Sequence, residues 1–176
     1  MSAPATALRQ GTAQDAERFA LVGQATFLES YAGLLPVEDI LAHGQRQHAA
    51  RAYAAWLDDP AWRCWLIEAT TGGAPVGFMT VGPSDLPLAD HDPADLEIKR
   101  LYLLHRFQGL GLGRAMLEQA YAFARERARP RILLGVYSRN EAALSFYAKM
   151  GFTQVGDRRF RVGAHEYYDY VLGRAP

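Results

Sequence analysis

Cysteine is almost absent from the sequence. Cys64 is the single cysteine among 176 residues, so the chain cannot form an internal disulfide. A chain without disulfides fits a reducing compartment. Cys64 lies in the apolar run WRCWLIEA, and this setting predicts a buried thiol in a strand rather than a nucleophile.

Long apolar runs and an excess of charge of one sign are also missing. No run approaches the roughly 18 apolar residues that a membrane-spanning helix needs. The first residues, MSAPATALRQ, lack the basic start and apolar stretch of a signal peptide. The 19 Lys and Arg residues balance the 19 Asp and Glu residues, so net charge provides no attraction to nucleic acid or anionic membranes. We therefore expect a cytoplasmic protein with neither of these as a partner, folded as a single domain over residues 1–176.

Apolar periodicity and turn residues predict a chain of mixed α/β type. Helices are predicted over Asp15–Tyr31, Pro36–Gly44, Gln45–Leu57, Gly111–Arg129 and Asn140–Met150. Strands are predicted at Leu8 and Arg9, Trp62–Ala69, Val76–Gly82, Leu96–Leu104, Arg131–Tyr137, Thr153–Phe160 and Glu166–Leu172. This order, with strand–helix–strand–helix in the middle and a final hairpin, indicates a mixed sheet with helices on both faces.

A glycine-rich turn joins one of these strands to a helix, in the segment LYLLHRFQGLGLGRAM. Glycines let backbone N–H groups approach an anion closely, and the following helix start adds free donors and partial positive charge. The segment therefore predicts a pyrophosphate site built from backbone.

Two common phosphate-binding motifs do not fit this turn. A P-loop requires Gly-Lys-Ser/Thr, whereas the chain has Gly113-Arg114-Ala115. A dinucleotide fingerprint requires glycine or alanine at its sixth position. Counting from Gly109 or from Gly111, that position is Arg114 or Met116. Glycines that merely permit a tight turn are the structural alternative.

The pattern Q-x-x-G-x-G from Gln108 to Gly113 resembles the acetyl-CoA turn of the GNAT acyltransferases. Downstream, SRNEAALSFYAKMGF resembles the second signature of that superfamily, N-x-x-A-x-x-F-Y-x-x-x-G-F, beginning at Asn140. The likeness is close from Leu96 to Phe152. A narrower similarity, to PaiA-type polyamine acetyltransferases, lies in LEIKRLYLL, FLESYAGLLPVED and LGVYSRNEAALSFYAKMGF.

The resemblance implies a GNAT-type α/β fold with a mostly antiparallel sheet of about seven strands and a splayed central strand pair. It implies acetyl-CoA as cosubstrate. The backbone of three strand residues would bind pantetheine, the turn would bind pyrophosphate, and two residues of the second signature would complete the cofactor site. These positions are Leu101, Tyr102, Leu103, Gln108, Gly109, Leu110, Gly111, Leu112, Gly113, Arg114, Asn140 and Tyr147. For Arg114, a solvated side chain at the helix start is the alternative.

Two catalytic residues follow from the same resemblance. Glu97 matches the catalytic glutamate of histone-type members and is the expected base, acting through a water. A surface glutamate, or one ion-paired near Lys99 or Arg100, is the alternative. Some members carry a glutamate on the next strand, but here that position is Gly135. Tyr147 lies seven residues after Asn140 and hence on the same helix face. It is the expected acid, because a phenol stays protonated at pH 7; simple packing against the cofactor is the alternative.

The acceptor is less well specified by the sequence. The loop holding Asp85, Asp90, Asp92 and Asp95 would favour a polycation if these side chains lay near the acceptor, whereas a solvated acidic loop is the alternative. The five histidines lack metal-ligand spacing, so we expect no metal. The favoured function is acetyl transfer to a small primary amine, a polyamine first. Alternatives are a protein N-terminal or lysine acetyltransferase and a weakly catalytic acetyl-CoA-binding regulatory module, and a homodimer remains open.

Overall fold

The computed structural model describes residues 5–162 and 165–176. The first half of the chain contains β1 (Thr6–Gln10), α1 (Ala16–Tyr31), α2 (Val37–Gln47), α3 (Ala50–Asp58), β2 (Arg63–Ala69) and β3 (Pro75–Pro83). The second half contains β4 (Leu96–Leu103), α4 (Leu112–Glu126), β5 (Ile132–Tyr137), α5 (Glu141–Lys149), β6 (Thr153–Val162) and β7 (His165–Arg174). Short 3-10 turns lie at Ala13–Asp15 and His105–Phe107.

The seven strands form one sheet in the order β1-β2-β3-β4-β5-β7-β6. The pairs β1–β2, β5–β7 and β6–β7 are antiparallel, and β4–β5 is parallel. This arrangement confirms the predicted mixed α/β class with a mostly antiparallel sheet of seven strands.

Two predicted helix ends were wrong, each because of the backbone at one small residue. Gly44 does not end α2, which continues to Gln47, because the Gly44 carbonyl accepts the His48 N–H at 3.0 Å. The third helix accordingly begins at Ala50 rather than at Gln45.

The predicted end of α4 at Arg129 was also wrong. The helix ends at Glu126, because Ala128 adopts a left-handed backbone with φ of 50°. The Arg129 N–H then bonds the Ala124 carbonyl at 2.8 Å, and the Ala128 N–H bonds the Arg125 carbonyl at 3.0 Å. This is a Schellman ending formed without the usual glycine.

Two compact units divide the chain, and each has its own core. The first unit holds the residues up to Thr80 together with Arg100–Leu117. Its core packs Phe19 of α1 against Tyr53 at 5.4 Å and Phe78 at 6.0 Å between ring centroids. Cys64 belongs to this core, where burial raises the pKa of its thiol to about 12. The predicted buried strand thiol is therefore confirmed.

The second unit holds Val81–Lys99 and Glu118–Pro176. Its sheet portion is fixed by the long antiparallel registers of β7 with β5 and with β6. The buried side chains of Leu86, Leu133 and Val171 pack together, with Leu88 against them. The loop before β4 is thus packed on strands β5 and β7 through its leucines.

Two helical glycines provide a test of the packing in the first unit. A Cβ at Gly23 of α1 would lie 2.3 Å from His48 Nδ1 and 2.4 Å from the Tyr53 hydroxyl, whereas a Cβ at Gly44 of α2 would meet only Gln24 Cγ, at 3.8 Å. Gly23→Ala is expected to lower the free energy of unfolding by about 1–3 kcal/mol through overpacking. Gly44→Ala is expected to raise it by up to about 1 kcal/mol, because alanine favours the helix.

Urea unfolding followed by circular dichroism measures both variants. Equal stabilisation by the two alanines would contradict the close packing around Gly23.

Candidate active site

The glycine-rich turn lies in the first unit, between the end of β4 and the start of α4. Gly109 and Gly111 have φ of 75° and 80°, and a Cβ at either position would meet no heavy atom within 4 Å. The first helical hydrogen bond of α4 runs from the Ala115 N–H to the Gly111 carbonyl at 3.0 Å. The amides that precede Ala115 therefore have no acceptor within the helix, which is the arrangement that binds anions.

The predicted turn residue Gln108 ties the turn to the strand before it. Its Nε2 donates to the Leu103 carbonyl at 3.1 Å, and its backbone N–H donates to the His105 carbonyl at 3.0 Å. The backbone N–H of His105 is held in turn by Glu29 Oε2 at 2.8 Å. These contacts fix where the turn leaves the strand, while Arg114 at the helix start is exposed.

The three strand residues predicted to bind pantetheine lie at the end of β4 and are half-buried. The Tyr102 ring stacks on Phe78 at 5.8 Å, and Leu103 lies over Gly77, where an added Cβ would come within 2.4 Å of Leu103 Cδ2. Side-chain packing therefore fixes Tyr102 and Leu103, and the peptide groups of Leu101–Leu103 are placed by it.

In the second unit, β4 and β5 share a parallel register that covers Leu96 opposite Ile132 and Glu97 opposite Leu133. Among the described residues, the register does not extend to the later parts of either strand. Strands that part after two residue pairs leave backbone groups available to a ligand. The predicted splayed strand pair has this arrangement.

Glu97 lies at the last paired position and its side chain is 2% exposed. Lys99 Nζ donates to Glu97 Oε2 at 2.9 Å, and the Asp85 N–H donates to the same oxygen at 3.3 Å. Burial raises the pKa of Glu97, against the opposing effect of Lys99. The Glu97 carboxylate is therefore ion-paired, in agreement with the alternative stated for this residue. Because its pKa is raised, it is also a better proton acceptor near neutral pH than an exposed glutamate.

Asn140 and Tyr147 lie at the start and end of α5. Asn140 Oδ1 accepts the Ala143 N–H at 3.1 Å, which confirms the predicted helix cap. Tyr147 is 8% exposed, and its ring lies 5.1 Å from that of Phe146 and 5.6 Å from that of Phe152. The cap uses the Asn140 carbonyl oxygen, so the side-chain NH₂ group is the part of Asn140 that remains for a ligand.

Sequence reasoning missed an ion pair that covers Gly135. Arg158 of β6 bonds Asp169 of β7 through Nε and Oδ2 at 3.3 Å. A Cβ at Gly135 would lie 2.6 Å from Arg158 Nη2, so the glycine makes room for the guanidinium. Asp169 is 4% exposed, and burial raises its pKa against the effect of Arg158. The available signal was a glycine inside the apolar strand ILLGVY, since such a glycine marks a close approach.

The acidic loop predicted as a possible polycation site is largely ion-paired. Asp85 bonds Lys99. Asp90 and the buried Asp95 both bond Arg131, at 2.8 and 2.7 Å. Most of the negative charge in this loop therefore stabilises its own fold, and Asp85 is the carboxylate of the loop that contacts the Glu97 cluster.

In the part of the chain that the structure describes, no group of three or more His, Cys, Asp or Glu residues could hold a metal ion. The same described ranges contain no helix with the length and apolarity needed to cross a membrane. His48 has a different role, since its Nδ1 lies 2.7 Å from the Tyr53 hydroxyl inside the first unit.

The cap at Asn140 gives a testable prediction. Asn140→Ala removes the oxygen that accepts the Ala143 N–H, and it is expected to lower the free energy of unfolding by about 1 kcal/mol. Asn140→Ser retains a capping oxygen and is expected to lose much less. Thermal and urea unfolding distinguish the two variants, and an equal loss for both would show that the cap does not stabilise α5.

Known proteins are similar to this chain over the residues described above. The model of the acetyltransferase (GNAT) family matches residues 28–152. An uncharacterized N-acetyltransferase of Mycobacterium tuberculosis is 33% identical over 160 residues, covering 91% of this chain and 97% of the relative. The N-alpha-acetyltransferase RimI of M. tuberculosis is 32% identical over 104 residues, covering 58% of this chain and 61% of RimI.

Among solved structures, the fold is similar to that of the PaiA N-acetyltransferase of Thermoplasma acidophilum in complex with coenzyme A. The TM-score is 0.74 at 16% identity, covering 98% of this chain and 99% of that one. The family match spans both the glycine-rich turn and α5, and the relative from M. tuberculosis extends the similarity over nearly the whole chain. The chain therefore belongs to the GNAT family and is an N-acetyltransferase that uses acetyl-CoA.

Proposed function

We propose that this N-acetyltransferase acetylates a small primary amine, a polyamine first, by direct attack of the amine on the thioester. The main support for cofactor binding is the pair of glycines Gly109 and Gly111, which have a left-handed backbone and lie immediately before α4. The space beside each glycine is open, so a phosphate group fits against this backbone. Residues 1–176 would then act as one acetyltransferase domain.

The proposed cofactor contacts use backbone and side-chain groups of three segments of the chain. The peptide groups of Leu101, Tyr102 and Leu103 would bind the pantetheine arm. The turn from Gln108 through Leu110 and Leu112 to Gly113 would hold the pyrophosphate on its amides, with Arg114 as an exposed cation beside it. Asn140 would contribute its side-chain NH₂ group and Tyr147 its ring and hydroxyl. When bound, acetyl-CoA supplies an activated acyl group.

The acceptor has to lose a proton before it attacks. An amine with a lysine-like pKa of about 10.4 is neutral in roughly one molecule in 2,500 at pH 7, which costs about 4–5 kcal/mol. We assign the base to Glu97, acting through a water. The buried carboxylate and its raised pKa support this role, and its Oε2 contact with Lys99 leaves Oε1 for the water. Because the base works only when ionised, kcat/KM should rise with pH through the pKa of Glu97.

We assign Tyr147 to the departing thiolate. Its hydroxyl would donate a hydrogen bond to the sulfur as negative charge develops there. Burial of the ring beside Phe146 and Phe152 supports this role, because it holds the side chain in one position.

A cationic acceptor is supported by the charges around Glu97. Glu97, Asp85 and Asp169 are matched by two cations, Lys99 and Arg158, so one negative charge is in excess when all are ionised. The similarity to the PaiA structure concerns the fold alone. We also propose a cytoplasmic setting, which the single buried cysteine supports.

A second candidate function is acetylation of a protein N-terminus. It is favoured by the similarity to RimI, which is named an N-alpha-acetyltransferase and is 32% identical over 104 residues. A protein acceptor, unlike a polyamine, would be recognised along several residues, so short peptides would be turned over better than any free amine.

Gly111 and Gly72 have similar backbone conformations, so their alanine variants distinguish a loss of cofactor binding from an effect of backbone strain. Gly111→Ala and Gly72→Ala both place a side chain at a φ near 80° in open space, so each is expected to cost about 1–2 kcal/mol in stability. Only Gly111→Ala should weaken coenzyme A binding, by about tenfold or more, through loss of one charge-assisted backbone contact. Isothermal titration calorimetry measures the affinity, and equal affinities for the two variants would contradict the assigned phosphate site.

Turnover tests the function itself. Acetyl-CoA consumption, read as free thiol, is measured with spermidine, spermine, putrescine, amino acids, aminoglycosides and short peptides. Tyr147→Phe and Glu97→Gln are each expected to lower kcat by roughly 10²-fold or more. Glu97→Gln should also remove the part of the rise of kcat/KM that occurs at the pKa of Glu97, while the rise caused by deprotonation of the amine remains.

The outcomes of this assay separate the candidates. Turnover confined to peptides would overturn the polyamine proposal in favour of the second candidate. Tight acetyl-CoA binding without turnover of any acceptor would leave an acetyl-CoA-binding regulatory module as the remaining candidate function.

A further inference from the structure

A connected set of charged side chains lies on one side of the sheet in the second unit. Glu97 and Lys99 are two residues apart on β4, so their side chains point to the same side of the sheet. Glu97 is opposite Leu133, and Gly135 lies two residues further along β5 on that side. The guanidinium of Arg158 covers Gly135 and bonds Asp169, which brings the β6–β7 hairpin into the same cluster.

The five members of this charge cluster are Asp85, Glu97, Lys99, Arg158 and Asp169. Lys99 is shared between Glu97 and Asp85, and Arg158 pairs with Asp169 while also acting electrostatically on Asp85. Three carboxylates and two cations leave one negative charge in excess. The cluster is therefore one cation short of neutrality.

The three carboxylates differ in how well they are already paired. Glu97 accepts two donors through Oε2, the nearer at 2.9 Å, and Asp85 bonds Lys99 directly. Asp169 has the weakest pairing, a contact of 3.3 Å from Arg158 Nε to Oδ2. Its carboxylate is also buried, so a cation beside it would be attracted more strongly than one at the surface. An additional cation that neutralises the cluster would therefore bind best beside Asp169.

Asp169 lies further along β5 than the point at which the pairing of β4 with β5 ends. It is opposite Tyr137, the last residue of β5, and Arg158 covers Gly135 on the same strand. Both positions lie beyond Leu133, where the pairing with β4 ends next to Glu97. Three residues after Tyr137 the chain enters α5 at Asn140, so Asp169 adjoins the segment that leads to Tyr147.

We propose that Asp169, held in position by Arg158, binds a second ammonium group of the acceptor through Oδ1 while another amine of the same molecule is acetylated. Asp169 thereby selects diamines and longer polyamines over monoamines of the same length. This inference rests on the proposed function, since it names the part of the acceptor that one further residue recognises.

The test compares two acceptors that differ only in the second ammonium: putrescine and n-butylamine. The wild-type protein should have a higher kcat/KM for putrescine. Asp169→Asn keeps the size of the side chain but removes its charge, and it should lower the putrescine-to-butylamine ratio of kcat/KM by about tenfold or more, mainly through KM.

A matched control lies on the same hairpin. Glu166 bonds Arg159 at 2.7 Å in an exposed ion pair outside the cluster, so Glu166→Gln should leave the ratio unchanged. Arg158→Lys keeps a cation beside Asp169, and it should preserve most of the ratio. A purely structural role of Asp169 would make Asp169→Asn lower kcat/KM for putrescine and for butylamine equally.

The results separate this inference from the function on which it rests. If no amine is acetylated, the proposed function fails. If amines are acetylated but the wild-type ratio is near one, or Asp169→Asn keeps the wild-type ratio, the role of Asp169 is refuted. If Asp169→Asn does not fold, as judged by circular dichroism, the double variant Arg158→Gln/Asp169→Asn replaces it, because it leaves no unpaired buried charge. Retention of the ratio in the double variant overturns the proposal, and its loss supports the proposal.

Discussion

The turn from β4 into α4 depends on a backbone conformation that glycine alone adopts without strain. Gly109 and Gly111 both lie in the left-handed region, and α4 begins directly after them. Because the first helical bond starts at Ala115, the amides before it remain unused by the helix. In a chain of the GNAT family, we propose that these amides are the donors for a cosubstrate whose charge is carried by phosphates.

The charged residues of the second unit follow a different physical principle. The second unit buries Glu97 and Asp169 and balances them with Lys99 and Arg158, instead of leaving an open acidic surface. Buried carboxylates are costly unless paired, and incomplete pairing favours a further cation. Burial raises the pKa of the proposed base, Glu97, against the opposing effect of Lys99, and we propose that the incomplete pairing selects a cationic acceptor.

Sequence periodicity predicted the strands and helices well, but helix ends depended on conformations that residue type does not reveal. Gly44 stays inside α2, while Ala128 ends α4 in a conformation usual for glycine. The two motifs identified the turn and α5, because their chemistry is local. The Arg158–Asp169 pair was missed because it requires the register of β6 with β7, which alternation alone does not specify.

The central claim is that the amides of the glycine-rich turn bind the phosphates of the cosubstrate. Titration of ¹⁵N-labelled protein with coenzyme A, followed by amide chemical shifts, tests this residue by residue. The account predicts the largest shifts at Gly109, Gly111 and Gly113, together with the Asn140 side-chain amide, and little change at Gly72. Saturable binding that leaves the turn amides unshifted would contradict it.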